Sequence, residues 1–238
     1  MDSKNKLYYR VITSNEIVGE SINSMQNLTC RQQIVNEFYP QMEAICMLSL
    51  QCDIKLSSAL RIASQYGYVI DDIQDAIQCG CDVFLLNKLL VSGETKDAIP
   101  LKPLVDFIVN YNRIYNESGI YLDEDRNDGQ YIWEGVWEYV RRRLFSHKNS
   151  RLASIFAFEK MSEAKQFSES YRNDTRDIVT VEIEDAKVVR YDMEWLTKVP
   201  ITSTMIEASV YATNYWEGKS TDTPCYEFLV KGTYKLLL

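Results

Sequence analysis

KLYYRVIT, residues 6–13, is the stretch that decides how this chain folds. It is β-branched and aromatic with polar residues on either side, so it reads as a short strand. Tyr9 and Arg10 then point to opposite faces of it. The next sequence of the same texture comes after residue 150. A lone strand is unstable, so residues 6–13 must pair with strands from the end of the chain.

The intervening stretch, residues 30–145, has helical periodicity. QIVNEFYPQMEAICMLSLQC (33–52) repeats its apolar positions at three and four, with Pro40 as a break or first-turn residue. KLSSALRIASQYGYVIDDIQDAI (55–77), DVFLLNKLL (82–90) and PLKPLVDFIVNYNRIY (100–115) continue it, and Pro100 and Pro103 mark a helix start. QYIWEGVWEYVRRRLF (130–145) closes the block, its arginines near the C-terminal end where the helix dipole favours cations.

Beyond residue 150 the pattern mixes strands and helices. SIFAF (154–158) is a short apolar run, and SEAKQFSESYR (162–172) is a helix with Ser162 as a possible N-cap. DIVTVEIE (177–184) alternates like a strand, and KVVRYDMEWL (187–196) is a second strand running into a polar turn. IEASVYATNYW (206–216) is a short helix, and YEFLVKGTYKLLL (226–238) reads as a hairpin turning at Lys231-Gly232. The sequence therefore predicts an α+β protein: residues 1–29 and 146–238 form one mixed β-sheet core, and residues 30–145 are a large helical insertion after the first strand.

Composition narrows the chemistry. The chain has 238 residues, a formal net charge of −8 and a single histidine, His147. A two-histidine zinc site or a two-histidine iron site needs more imidazoles than exist. His147 lies in a basic connector, a poor place for the rigid base of a serine triad. The acidic balance argues against a mainly electrostatic grip on nucleic acid, although Arg141, Arg142, Arg143, Lys148 and Arg151 make a local basic stretch. The six cysteines include no CxxC pair. The one close pair is Cys79-Gly80-Cys81, five of the six fall between residues 30 and 81, and all read as buried thiols of a reducing cytosol. The polar N-terminus and the lack of a long apolar stretch predict a cytoplasmic chain with no membrane span.

Three stretches could carry chemistry. DEDRNDGQYIWE (123–134) places Asp123, Asp125, Asn127 and Glu134 at calcium-loop positions, but Asp128 stands where such a loop has glycine, so it reads as a solvated acidic turn. In RRRLFSHKNSRLASIFAF (141–158), Ser150, Arg151 and Ser154 sit where helix passes into strand, and guanidinium forks with hydroxyls suit an anion. In PCYEFLV (224–230), Glu227 opens an otherwise apolar strand, where a carboxylate either faces a cleft or lies on an exposed edge.

The order of these features resembles the ADP-ribosyltransferase superfamily: Tyr-Tyr-Arg on a first strand, then SRLASIFAF and an Ala/Phe-patterned helix, then a glutamate opening a late strand. WEYVRRRLFSHKNSRLASIFAFEKMSEAKQF (137–167), VVRYDMEWL (188–196) and YATNYWEG (211–218) are similar to a little-characterised bacterial family assigned to it. The likeness covers residues 6–13 and 131–236. It implies an ADP-ribosyltransferase-like core and NAD as co-substrate. It also implies Arg10, Ser150, Arg151 and Ser154 as residues that hold the dinucleotide, and Glu227 as the catalytic carboxylate. The superfamily's Ser-Thr-Ser motif is absent, and Cys225 stands where many members that modify protein have Glu or Gln.

The implied chemistry suits these residue types. Cleaving a nicotinamide–ribose bond develops an oxocarbenium-like cation, which a carboxylate stabilises, and a pyrophosphate favours bidentate cations. Tyr9, Phe156, Tyr215 and Trp216 are aromatic enough to stack on nicotinamide or adenine, or to fill a core. The expectation is a transferase, a toxin or host-takeover factor in kind, that moves ADP-ribose from NAD to a protein or nucleic-acid acceptor, or that hydrolyses NAD. The alternative is a non-catalytic protein of the same fold whose helical region binds a protein partner.

Overall fold

A computed structural model describes residues 7–12, 16–86, 97–119, 129–171 and 177–238. The chain is α+β, and its described strands all pair antiparallel. It divides into two compact units: Met1–Gln33, Leu144–Thr197 and Asn214–Leu238 form unit 1, and Ile34–Arg143 with Lys198–Thr213 form unit 2. Residues 198–213 thus count with the helices and not with the sheet core that the sequence predicts for them.

Unit 1 is built on a five-stranded sheet. Its strands are β1 (Tyr8–Val11), β2 (Ser21–Asn23), β5 (Ile155–Ala157), β6 (Ile178–Asp192) and β7 (Tyr226–Leu237). As KLYYRVIT required, β1 pairs with a late strand, Tyr8 opposite Val181 and Arg10 opposite Val179. β6 pairs along its length with β7, and β7 pairs on its other edge with β5 and β2. Just past β5, Phe158 N donates to Tyr9 O at 2.7 Å and Tyr9 N donates to Phe158 O at 2.8 Å. The ladder therefore returns to β1. The enclosed face carries the apolar cluster of Tyr8, Ile22, Ile155, Ala157, Val179, Val181, Phe228, Val230, Tyr234 and Leu236.

Two strand expectations are corrected here. DIVTVEIE and KVVRYD form one strand rather than two, and YEFLVKGTYKLLL is one strand rather than a hairpin. The cause is a bulge. The β6–β7 register shifts between Ile183 and Asp185, leaving Glu184 outside the ladder to accept a hydrogen bond from Ser21 Oγ at 2.6 Å. Gly232 lies opposite Ala186 beside this bulge, with φ +129°. A Cβ there would come within 2.3 Å of Asp185 O, so the glycine serves close strand approach and not a turn. α7 (Met161–Tyr171) packs Ala164 and Phe167 against Val11 and Phe158. It begins before Ser162, which is therefore not its N-cap.

Unit 2 contains α2 (Tyr39–Cys52), α3 (Leu56–Ser64), α4 (Tyr66–Gln78), α5 (Leu101–Ser118) and most of α6 (Gly129–Leu144). α1 (Cys30–Glu37) runs from unit 1 into it. Pro40 lies in the first turn of α2, where no intrahelical donor is lost. Gly135 of α6 faces α2, and a Cβ on it would meet Met42 Cβ at 2.9 Å. The first part of α9 (Met205–Glu217), which follows the short α8 (Glu194–Thr197) in the chain, also belongs to this unit, and Met205 N donates to the buried Ser49 Oγ at 2.9 Å. DVFLL is a correction: it is not helical but forms β3 (Val83–Leu86), which pairs with β4 (Asp97–Pro100). Phe84 and Ile99 are buried opposite each other while Val83 and Leu85 are exposed. That is the period of two, which a short apolar run hides.

Candidate functional site

Glu227 occupies the second position of β7, and strand alternation puts it on the face opposite Phe228 and the enclosed cluster. It is 3% exposed. Its partners come from two directions. The end of α9, within unit 1, brings Tyr215, whose hydroxyl donates to Glu227 Oε1 at 2.8 Å. The short 3-10 turn Arg151–Ala153, just before β5, brings Arg151, whose Nη1 is ion-paired with the same carboxylate oxygen and donates to Tyr215 Oη at 2.9 Å. The guanidinium lies 4.7 Å from the Phe156 ring centre, so its face is covered as well as its edge.

The sequence around each partner explains its position. Ser150 caps the 3-10 turn by accepting from Leu152 N at 3.1 Å, and Ser154 Oγ donates to Ser150 O at 2.7 Å. Gln32 Nε2 donates to the carbonyls of Arg151 and Ser154, which ties the turn to α1. The two serines thus shape the loop that presents Arg151. At the other end of the site, Asp192 fixes where β7 begins. Its Oδ1 accepts from Cys225 N at 2.9 Å, and its Oδ2 accepts from Thr221 N at 2.7 Å and from Thr221 Oγ1 at 2.8 Å.

Aromatic rings wall the cluster. Tyr191 lies opposite Glu227 in the β6–β7 ladder and stacks on Tyr215 at 4.5 Å, and Trp216 meets both rings edge-on. Burial raises the Tyr215 hydroxyl well above its ordinary range. It therefore stays a neutral donor to Glu227. The Cys225 thiol is pushed up to about 11, first by burial and then by the negative charges of Glu194, Glu227, Asp192 and Glu163.

Of the five residues expected to share a site, four come together and one does not. Glu227 and Arg151 touch, and Ser150 and Ser154 build the same turn. Arg10 lies elsewhere: it is 3% exposed, its Nε donates to Glu16 Oε2 at 2.6 Å and its Nη1 to Phe156 O at 2.8 Å. It shares a strand face with Tyr8, which packs on Phe228 of the enclosed cluster. Trp216 and Tyr215 are fully buried, so they are walls rather than an open stacking surface.

The arginine run of α6 is paired within unit 2. Arg141 and Arg142 both hold the buried Glu138, and Arg143 binds Glu43 at 2.9 Å. Arg142 also covers the ring of Tyr39, and Arg143 that of Tyr139. Asp123, Asp125, Asn127 and Asp128 of the calcium-like loop lie outside the described residues. Among the described residues no three His, Cys, Asp or Glu side chains converge as for a metal ion, and no helix is long and apolar enough to cross a membrane. A groove of about 450 Å³ in unit 2 is lined by Glu43, Met47, Arg113, Ile114 and Arg143 among others, and by none of the five expected residues.

The hydrogen bond from Tyr215 to Glu227 and the anchoring role of Asp192 are not legible in the sequence, where Tyr215 is one aromatic among several. Nothing in local spacing tells that its hydroxyl meets a carboxylate twelve residues on.

Together these features define an α+β protein with a buried strand-end carboxylate that meets the Arg151 guanidinium and the Tyr215 phenol. The family model described as "Protein of unknown function (DUF2441)" matches residues 83–237, more than half of the chain, and the chain belongs to that family. No curated protein matches it.

Proposed function

We propose that this protein transfers ADP-ribose from NAD to a protein or nucleic-acid acceptor, or hydrolyses NAD, with Glu227 as its catalytic carboxylate. The buried Arg151–Glu227–Tyr215 cluster carries this reading. Glycosyl cleavage needs a fixed carboxylate beside a developing cation, and a guanidinium fork suits a pyrophosphate. In this reading the pyrophosphate draws Arg151 away from Glu227, and the released carboxylate meets the ribose. Ser150 and Ser154 hold the turn, and Arg10 takes no part in binding the dinucleotide.

The test is incubation of the full chain with labelled NAD and a cell extract, beside Glu227→Gln. The expected result is label on an acceptor, or released nicotinamide, and a loss of about 10²–10³-fold in the variant, the scale on which removed electrostatic stabilisation acts. Turnover equal to wild type in a folded Glu227→Gln variant would refute the assignment.

A second reading, a non-catalytic interaction protein, is favoured by one observation: Arg10 is committed to Glu16 and to main-chain carbonyls instead of to a strand-end cleft. Calorimetry at millimolar NAD separates the two. Binding heat supports the first reading, and its absence supports the second.

A further inference from the structure

α4 ends in a glycine-terminated turn that carries two thiols. Gly80 N donates to Ile77 O at 3.0 Å and Cys81 N donates to Ala76 O at 2.9 Å. This is the paired bonding of a Schellman motif, and Gly80 has the left-handed φ of +71° that the motif requires. Cys79 is the helix C-cap and Cys81 the second residue beyond it. Both are exposed, whereas the sequence alone suggested buried thiols.

The turn sets their separation. Helical backbone of either hand places Cα atoms two residues apart at about 5.4 Å, from the helix radius and rise. Extended backbone would place them farther apart. Disulfides span Cα separations of about 4.4–6.8 Å, so the left-handed glycine holds the Cα atoms of the two cysteines within that range. The other cysteines differ. Cys46 is fully buried and burial pushes its thiol far up, burial also raises the half-buried Cys52, Cys225 is raised to about 11, and Cys30 is exposed but stands alone at the start of α1.

We propose that Cys79 and Cys81 form a thiol–disulfide exchange site whose substrate class is a small disulfide such as oxidised glutathione. One thiolate attacks a sulfur of the small disulfide. A mixed disulfide forms as that S–S bond breaks, and the first small thiolate leaves and takes up the proton. The second cysteine thiolate then attacks the protein-side sulfur, closing the Cys79–Cys81 bond and expelling the second small thiol. The protein pair is oxidised by two electrons and the small disulfide is reduced to two thiols. A disulfide that is exposed and closes so short a loop is of the labile, readily reversed kind.

The experiment treats the full chain with excess oxidised glutathione, then alkylates the remaining thiols and weighs the peptides. The peptide bearing residues 79–81 should lose two hydrogens and resist alkylation, while Cys30 serves as the solitary exposed thiol. In Cys79→Ser the reaction should stop at a persistent glutathione adduct on Cys81, because the resolving thiol is gone. The proposal is overturned if wild-type Cys79 or Cys81 keeps glutathione at equilibrium. It is equally overturned if either cysteine bonds to a third cysteine or a second molecule, or if neither reacts.

Discussion

Arg10 and Glu227 project from opposite faces of one sheet. Arg10 shares a face with Tyr8 inside the enclosed cluster, and Glu227 points the other way from its neighbour Phe228. A guanidinium and a carboxylate that sequence order seemed to aim at one crevice are thus each satisfied separately, by Glu16 and by Arg151.

Separate pairing makes each buried ion pair a point of failure. Glu227→Ala would leave Arg151, 6% exposed, without its carboxylate. Breaking a buried pair from one side destabilises by about 3–5 kcal/mol. Glu227→Gln keeps an acceptor for Tyr215 and should lose less. Urea unfolding of both variants measures the difference, and equal midpoints would contradict the buried pairing.

Arg10→Met removes a cationic partner of Glu16, whose side chain is 6% exposed, and should destabilise on the same scale, about 3 kcal/mol or more. In whatever fraction remains folded, NAD affinity by calorimetry should be unchanged. A selective loss of NAD binding would return Arg10 to the site.

Gly232→Ala should be the most damaging glycine-to-alanine change among the described glycines of unit 1. The added Cβ meets main-chain atoms of Asp185 and Ala186 at 2.3 and 2.7 Å, in a backbone conformation side chains rarely adopt. Strain of this kind costs about 1–3 kcal/mol before the clash is counted. A thermal melt beside Gly218→Ala, which meets nothing within 4 Å at its own positive φ of +79°, separates clash from backbone strain.

Alkali should unfold the protein through its buried tyrosines. Burial raises the hydroxyls of Tyr191 and Tyr234 from 10.0 to about 12, and that of Tyr215 well above 10.0. Above pH 10 the unfolded chain releases protons that the folded chain keeps. Stability is therefore full below pH 10 and falls as the pH rises towards 12. Urea midpoints across that range should show the fall, and Tyr191→Phe should lessen it. A flat profile would contradict the burial.

Replacing Arg141 and Arg142 by Ala removes two cationic partners of the buried Glu138 and should destabilise the chain. If the run instead gripped a nucleic-acid acceptor, the same change would leave stability intact and lower the salt sensitivity of binding.

The sequence by itself determined the α+β class and helices between residues 30 and 145, though not the β3–β4 pair among them. It also determined that KLYYRVIT pairs with a late strand, because an unpaired strand has nowhere else to satisfy its backbone. It singled out Arg151 and Glu227, since charged groups at the margins of apolar runs stand out in any linear reading. Only the tertiary structure decided the rest. Strand parity set which face each residue occupies: Arg10 lies opposite Val179 of the enclosed cluster while Glu227 alternates with Phe228, and that fixed the two apart. Gly232 became a close-approach residue because of a bulge on another strand. Tyr215 became a hydrogen-bond donor because α9 ends beside β7. Local pattern carries periodicity, but register and the meeting of distant side chains come from long-range packing.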